Sequence, residues 1–254
     1  MLTRGIVLVI SGSALLFGCS AEQDETQEII DNLAQAGFPA DDIQVIDGDV
    51  YVGRDAHVTL QASREMIAPV AAGAEHYRTS NLVGASITKI CLSPSSGFTG
   101  AFSTAVDMTI ANYNALGLSF SLARAPTTGC SATINLSIRN GLVGGSSGFP
   151  NGGKPYGKAI IGGGLAPYGV DVIEHVITHE IGHTIGMRHT DYFDRSISCG
   201  GSGGNEGDGG VGAIHIPGSP TGANLGGSVM NSCFRANESG EFTSSDSSAL
   251  KTLY

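Results

Sequence analysis

His179-Glu180-Ile181-Gly182-His183-Thr184-Ile185-Gly186-Met187-Arg188-His189 is the stretch around which the chain is organised. Leading into it, apolar residues recur at Val172, Ile173, Val176 and Ile177 and continue at Ile181 and Ile185, the spacing of a helix with a buried face. On such a helix His179 and His183 stand one turn apart, so both imidazoles can reach a single ion. Glu180 points beside that pair, where it can act on a water held by the ion. Gly186 permits a left-handed backbone, so the helix can stop and the chain can turn back, bringing His189 in as a third ligand. Three protein ligands with one open coordination position are the donor set of a catalytic rather than a structural zinc. His175 lies one turn earlier on the same face, but the eight residues from it to His183 span about 12 Å at 1.5 Å per residue, too far for one ion. It reads as a packed histidine behind the ligands.

Upstream, Ile87 to Leu92 reads as a strand and Phe98 to Leu116 as a helix, with Thr99 or Ser96 near its cap. Leu118 to Leu122, Thr133 to Ser137 and Lys158 to Ile161 are further strands. Beyond His189 regular structure nearly vanishes until Ser244 to Tyr254, where Ala249, Leu250 and Leu253 fit a C-terminal helix. Strands and a helix first, the histidine helix next and loops last describe an α+β domain split by a cleft. The chain has 254 residues and 38 glycines, which cluster between Gly141 and Gly227 and announce turns and long loops there.

The N-terminal part has a different character. Arg4 precedes an apolar run from Gly5 to Phe17, too short to span a bilayer and right for an export signal. The run ends in Leu16-Phe17-Gly18-Cys19, which resembles a bacterial lipobox and makes Cys19 the expected site of lipidation. The protein is therefore expected to be exported and held at an outer membrane or cell surface through that anchor. Residues 1–18 are the signal, and 19–77 a tether followed by a small helix and hairpin. Within that unit Glu28 to Ala36 has helical spacing, and Ile43 to Ile46 and Val50 to Val52 flank the turn Asp47-Gly48-Asp49. Residues 78–254 form the zinc domain.

With Cys19 set aside, Cys91, Cys130, Cys199 and Cys233 allow three pairings. Cys91 with Cys130 and Cys199 with Cys233 is the preferred one, because each bridge would tie one subdomain. Acidic residues outnumber basic ones, 23 to 13, for a formal charge of −10. With no basic stripe to neutralise phosphates, nucleic acid is excluded as a partner, and a monomer is expected. Asn205-Glu206-Gly207-Asp208-Gly209 has too few carboxylates for a calcium loop and reads as solvated and flexible. His57 and His76 read as surface residues. His215 falls in a loop beside the cleft, where a structural role and a substrate contact are both open.

The eleven-residue motif resembles that of the metzincin clan of zinc metallopeptidases at every fixed position. Ser228-Val229-Met230-Asn231 is similar to the clan's methionine turn, with Met230 beneath the metal. Within the clan, the wording from His179 to Gly186 and the continuation His189-Thr190-Asp191 resemble the dual-action HEIGH metallopeptidases. The resemblance covers roughly Tyr77 to Tyr254, and more weakly the N-terminal unit. It implies a metzincin-like domain of two subdomains, with a mixed sheet, an active-site helix, a loop-rich C-terminal subdomain and a C-terminal helix. It further implies a zinc endopeptidase acting on protein or peptide substrates, with Glu180 as general base. A zinc amidase acting on cell-wall peptides and a non-catalytic surface lipoprotein are the alternatives; an intact Glu180 argues against the second. Astacin-like zymogens block zinc with a propeptide carboxylate. Asp55 is the candidate here, although Val52-Gly53-Arg54-Asp55 departs from that motif. Ser232 stands where some branches carry a tyrosine ligand, so none is expected. The substrate is expected to lie extended against the strand around Ala159 to Ile161.

Overall fold

The computed structural model describes residues 19–53, 55–67, 77–201, 204–206, 213–219 and 222–254. The export segment, His76 and Gly207 to Gly209 lie outside the described residues. The chain opens with helix α1 (Cys19–Gln35), followed by strands β1 (Gln44–Ile46), β2 (Asp49–Val52) and β3 (Ala56–Val58) and helix α2 (Leu60–Met66). The expected tether over residues 20–27 is thus helical. Its alanine, glutamates and glutamines favour helix, and carboxylates sit well near a helix N-terminus. Strand β3 and α2 are too short for their spacing to announce them.

The remainder is β4 (Lys89–Pro94), α3 (Gly100–Ala115), β5 (Ser121–Arg124), β6 (Ala132–Arg139), β7 (Gly145–Gly148) and β8 (Lys158–Gly162). A 3-10 turn (Gly163–Tyr168) then leads into α4 (Val170–Thr184), and α5 (Ser196–Cys199) and α6 (Ser244–Leu253) complete the chain. All strands join one mixed sheet in the order β1-β2-β3-β7-β8-β6-β4-β5. The four strands β8, β6, β4 and β5 are parallel to one another, while β7 runs antiparallel to β8. Among the described residues no helix is long and apolar enough to cross a membrane.

The expected docking strand around Ala159 to Ile161 lies inside the sheet. It is paired on one side to β6 and on the other to β7, so it offers no free edge. Within the part of the sheet formed by β4 to β8 the outermost strand on the β8 side is β7, Gly145-Ser146-Ser147-Gly148, whose lack of apolar side chains hides it from any pattern. That edge is covered by β3, which pairs with it in parallel, Ala56 opposite Ser147 and His57 opposite Gly148.

Two apolar cores result. The larger brings Ile90, Leu92, Ile134, Leu136 and Ile161 of the sheet against Val106 and Tyr113 of α3 and the apolar residues of α4. The smaller gathers Leu33, Phe38, Val50, Val58 and Met66, with Phe149 contributed by the residue after β7. Helix α4 is buried continuously from Val172 to Thr184. It lies against α3, where Tyr113 donates to the Thr178 carbonyl at 3.0 Å. Both disulfides have the preferred pairing, Cys91–Cys130 and Cys199–Cys233.

Glu174 of α4 is fully buried. Asn112 donates to its Oε1 at 2.7 Å, and its Oε2 has no hydrogen-bond partner among the described residues. Burial, reinforced by Glu241 and Asp171, pushes its pKa up to about 7. A carboxyl raised in the fold contributes stability that is complete below its unfolded pKa of about 4.3. That contribution is lost as pH rises through about 7. Glu174→Gln is therefore expected to raise the melting temperature at about pH 8 and to leave it nearly unchanged at about pH 4.5. Thermal unfolding at the two pH values checks this, and an equal shift at both would contradict it.

Candidate metal centre

Helix α4 ends where the sequence places the turn. Gly186 takes φ 106, and Met187 N donates back to the Gly182 carbonyl at 2.9 Å. A Cβ at Gly186 would press on the Asn81 carbonyl and the Leu82 side chain, so the turn is reserved for glycine on steric grounds too. The reversed chain carries His189 to the face bearing His179 and His183. The His189 Nε2 lies 3.2 Å from His183 Nε2 and 3.3 Å from His179 Nε2. For zinc–nitrogen bonds of about 2.0–2.1 Å, the edge of a tetrahedron is about 3.3 Å.

Each imidazole is oriented through its other nitrogen. His179 Nδ1 donates to the Val229 carbonyl at 2.9 Å, His183 Nδ1 to the Met187 carbonyl at 2.8 Å and His189 Nδ1 to Glu206 Oε1 at 2.6 Å. With the protons on Nδ1, three Nε2 lone pairs face one point, an arrangement that a cation relieves. The donor chemistry and spacing therefore fit zinc.

Asp55 joins this group. Its carboxylate lies 3.2 Å from His189 Nε2, 3.6 Å from His179 Nε2 and 3.7 Å from His183 Nε2. The four residues offer ligand atoms to one common point. Burial pushes the Asp55 carboxyl up, but His189, His179 and His183 around it outweigh this and hold it well below the usual range. The His183 imidazole is pulled down to about 3 by burial, assisted by its two histidine neighbours. Burial also pulls His189 down, but Glu206 and Asp55 on either side overcome it and hold the group well above its ordinary value.

Glu180 is buried on the same helix and opens onto a cavity of about 320 Å³ shared with Asp55, His179 and His175. Gly145 of β7 makes room for it: a Cβ there would overlap the Glu180 carboxylate. Burial, reinforced by Asp55, pushes the Glu180 carboxyl well above the ordinary range. Met230 is buried below the centre, with its sulfur against Gly182, where a Cβ would collide with it. Its loop is held by Asp246 at the start of α6, which accepts from Ser228 Oγ at 2.5 Å and Val229 N at 3.1 Å. Ser232 lines the same cavity and donates through Oγ to Asp191 at 2.8 Å. His175 is buried outside the converging group.

Two expectations are corrected. Glu206 is not part of a solvated loop. It is 2% exposed and holds His189 with one oxygen and Arg188 Nη2, at 2.9 Å, with the other. Its glycine-rich surroundings masked it, although a single carboxylate near three histidines is a usable signal. His57 is not a plain surface residue either: Nδ1 meets the Tyr156 hydroxyl at 2.5 Å, and Nε2 lies 3.4 Å from Asp49. His215 packs against Tyr77, ring centroids 5.1 Å apart. His76, Asp208, the glycines beside Asp208 and the side chain of Cys19 are outside what is described.

The family model of the dual-action HEIGH metallopeptidases matches residues 50–254, which includes the hairpin bearing Asp55 as well as the histidine helix. No curated protein matches the chain. Among solved structures, it is similar to high choriolytic enzyme 1, a hatching-enzyme zinc protease of the medaka fish Oryzias latipes. The two are 14% identical, the alignment covers 74% of this chain and 98% of that one, and the TM-score is 0.42. The family match spans most of the chain and its defining residues are those converging at the metal point, so the chain belongs to the dual-action HEIGH metallopeptidase family and is a zinc metallopeptidase.

Proposed function

We propose that the chain is an endopeptidase held latent by its own N-terminal unit, with His179, His183 and His189 as zinc ligands and Glu180 as general base. The observation that carries this reading is the position of Asp55, whose carboxylate meets all three Nε2 atoms at the corner a water would need. Zinc bound there supplies a Lewis acid for the scissile carbonyl and lowers the pKa of water. Glu180 takes the proton of the attacking water and delivers it to the leaving amine, tasks for which a raised pKa suits it. Strand β7 offers its backbone to an extended substrate once β3 leaves, giving affinity with little demand on side chains. Release of the unit before Tyr77 is thus the activating event. Export and lipidation at Cys19 belong to the same reading, supported by Arg4, the apolar run and Leu16-Phe17-Gly18-Cys19.

Four measurements test it. Glu180→Ala is expected to keep about one zinc per chain and to lose about a hundred- to ten-thousand-fold in peptide hydrolysis. Retained cleavage by the metal-loaded variant would remove the mechanism. Glu206→Ala, which frees the His189 ring, is expected to weaken zinc binding about ten- to a hundredfold in a chelator competition. Asp55→Ala in the full chain is expected to raise cleavage of a short fluorogenic peptide, and no gain would refute the latency. Cys19→Ala should move the protein out of the membrane fraction, and unchanged fractionation would refute the anchor.

A further inference from the structure

Beside the metal point lies a second group of charges, joined to it through Glu206. Arg195 is 4% exposed, and its Nη2 lies 2.9 Å from Asp42 Oδ1. Among the described residues its Nε and Nη1 have no hydrogen-bond partner, and the next carboxylate, Glu206, lies 3.6 Å from Nη1. Glu206 has both oxygens committed, to His189 and to Arg188. Asp42 is therefore the carboxylate closest to Arg195 among the described residues, with Glu206 the second. Asp42 belongs to the N-terminal unit, as do its neighbours here. Phe38 lies flat against the Arg188 guanidinium, 4.5 Å from ring centroid to Cζ, and Gly53 N donates to Asp42 Oδ2 at 3.0 Å.

This cluster sits in the path of a chain crossing the cleft. Residues after Asp55 pair with β7, whereas Gly53, two residues before it, lies against Glu206. Two residues of chain span at most about 7 Å, so the Asp42 carboxylate beside Gly53 lies within some two to three residues of the blocked corner. When the unit departs, Asp55 and Asp42 both leave, while Arg188, Arg195, Glu206 and the metal ligands remain. A guanidinium that loses its closest carboxylate presents an open, charge-assisted hydrogen-bonding position to another anion.

We infer that Arg195, flanked by Arg188, forms an anion subsite of the cleft that Asp42 fills in the latent chain and a substrate carboxylate fills in the active one. The inference rests on the latent-endopeptidase reading above. The subsite selects substrates carrying a carboxylate within about two to three residues of the scissile bond. Its source is an Asp or Glu side chain, or the terminal carboxylate of a short peptide; the guanidinium recognises the same group in either.

Two experiments test this. In the first, full chain is folded and its N-terminal unit released by limited proteolysis. The product is offered peptide pairs differing only by Glu or Gln at each of the three positions on either side of the cut. The Glu member of one pair is expected to have a kcat/KM about ten- to a hundredfold higher, a ratio falling to about one in Arg195→Gln. Preference surviving C-terminal amidation assigns the side chain, and preference lost on amidation assigns the terminal carboxylate. Cleavage without discrimination at any position overturns the subsite. The second experiment needs no catalysis. Full-length Asp42→Ala is titrated with acetate and with acetamide at constant ionic strength, and thermal unfolding is followed. Saturable stabilisation by acetate alone is expected, absent from wild type and from Asp42→Ala/Arg195→Gln. Equal responses to the two probes overturn the subsite. If neither peptide of any pair is cut while acetate still stabilises Asp42→Ala, the endopeptidase reading falls and the anion site stands. Should Asp42→Ala not fold, the wild-type peptide ratio decides.

Discussion

Three imidazoles with their lone pairs aimed at one point repel one another, and the fold is arranged to hold them there. Each is fixed by a hydrogen bond from Nδ1, and each acceptor comes from a different part of the chain. The Val229 carbonyl is set by the loop that Asp246 pins to the start of α6. The Met187 carbonyl is set by the turn at Gly186, and Glu206 by the Arg188 guanidinium. The tautomer, the ring planes and the distances all follow from these acceptors rather than from the histidines. A C-terminal helix remote from the cleft thereby governs a ligand on α4. Its capping box, Thr243 with Asp246, does double duty: the carboxylate that caps the helix is the one that fixes the methionine loop.

The N-terminal unit meets the rest of the molecule at three points of different physical kind. Asp55 supplies a charge to the metal point, β3 supplies backbone hydrogen bonds to β7, and Phe38 with Asp42 supplies a flat ring and a carboxylate to two buried guanidiniums. The first two share four residues of chain, from Asp55 to Val58. The third comes from the segment that follows α1, so the unit is held from two directions at once.

Much of this was legible in the sequence because it is periodic or locally spaced. The apolar repeat of α4, the one-turn spacing of His179 and His183 and the glycine before His189 each have a geometric meaning within a dozen residues. The strands β4, β6 and β8 announce themselves by their apolar runs, within two residues at either end. What escaped is what lacks side-chain signal or depends on distant pairing. Strand β7 has only glycine and serine, so its apolar neighbour β8 reads as the exposed strand. Glu206 sits among glycines and looked solvated, because nothing local says that His189 and Arg188 close over it. Asp55 could be picked out only through a resemblance, since its place at the histidines is set by β3 pairing with a strand that itself could not be seen.

That same pairing has a meaning for the behaviour of the chain in bulk. An open sheet edge is a row of unsatisfied backbone donors and acceptors, ready to accept a strand from any neighbouring molecule. Edges are commonly guarded by lysine, proline or an inward charge, and Gly145-Ser146-Ser147-Gly148 contains none of these. Its guard is β3, delivered from the same chain ahead of the strand it protects. The pairing of Ala56 and His57 with Ser147 and Gly148 thus occupies backbone groups that a neighbouring molecule would otherwise meet there. One short ladder serves both the proposed latency and the protection of this strand.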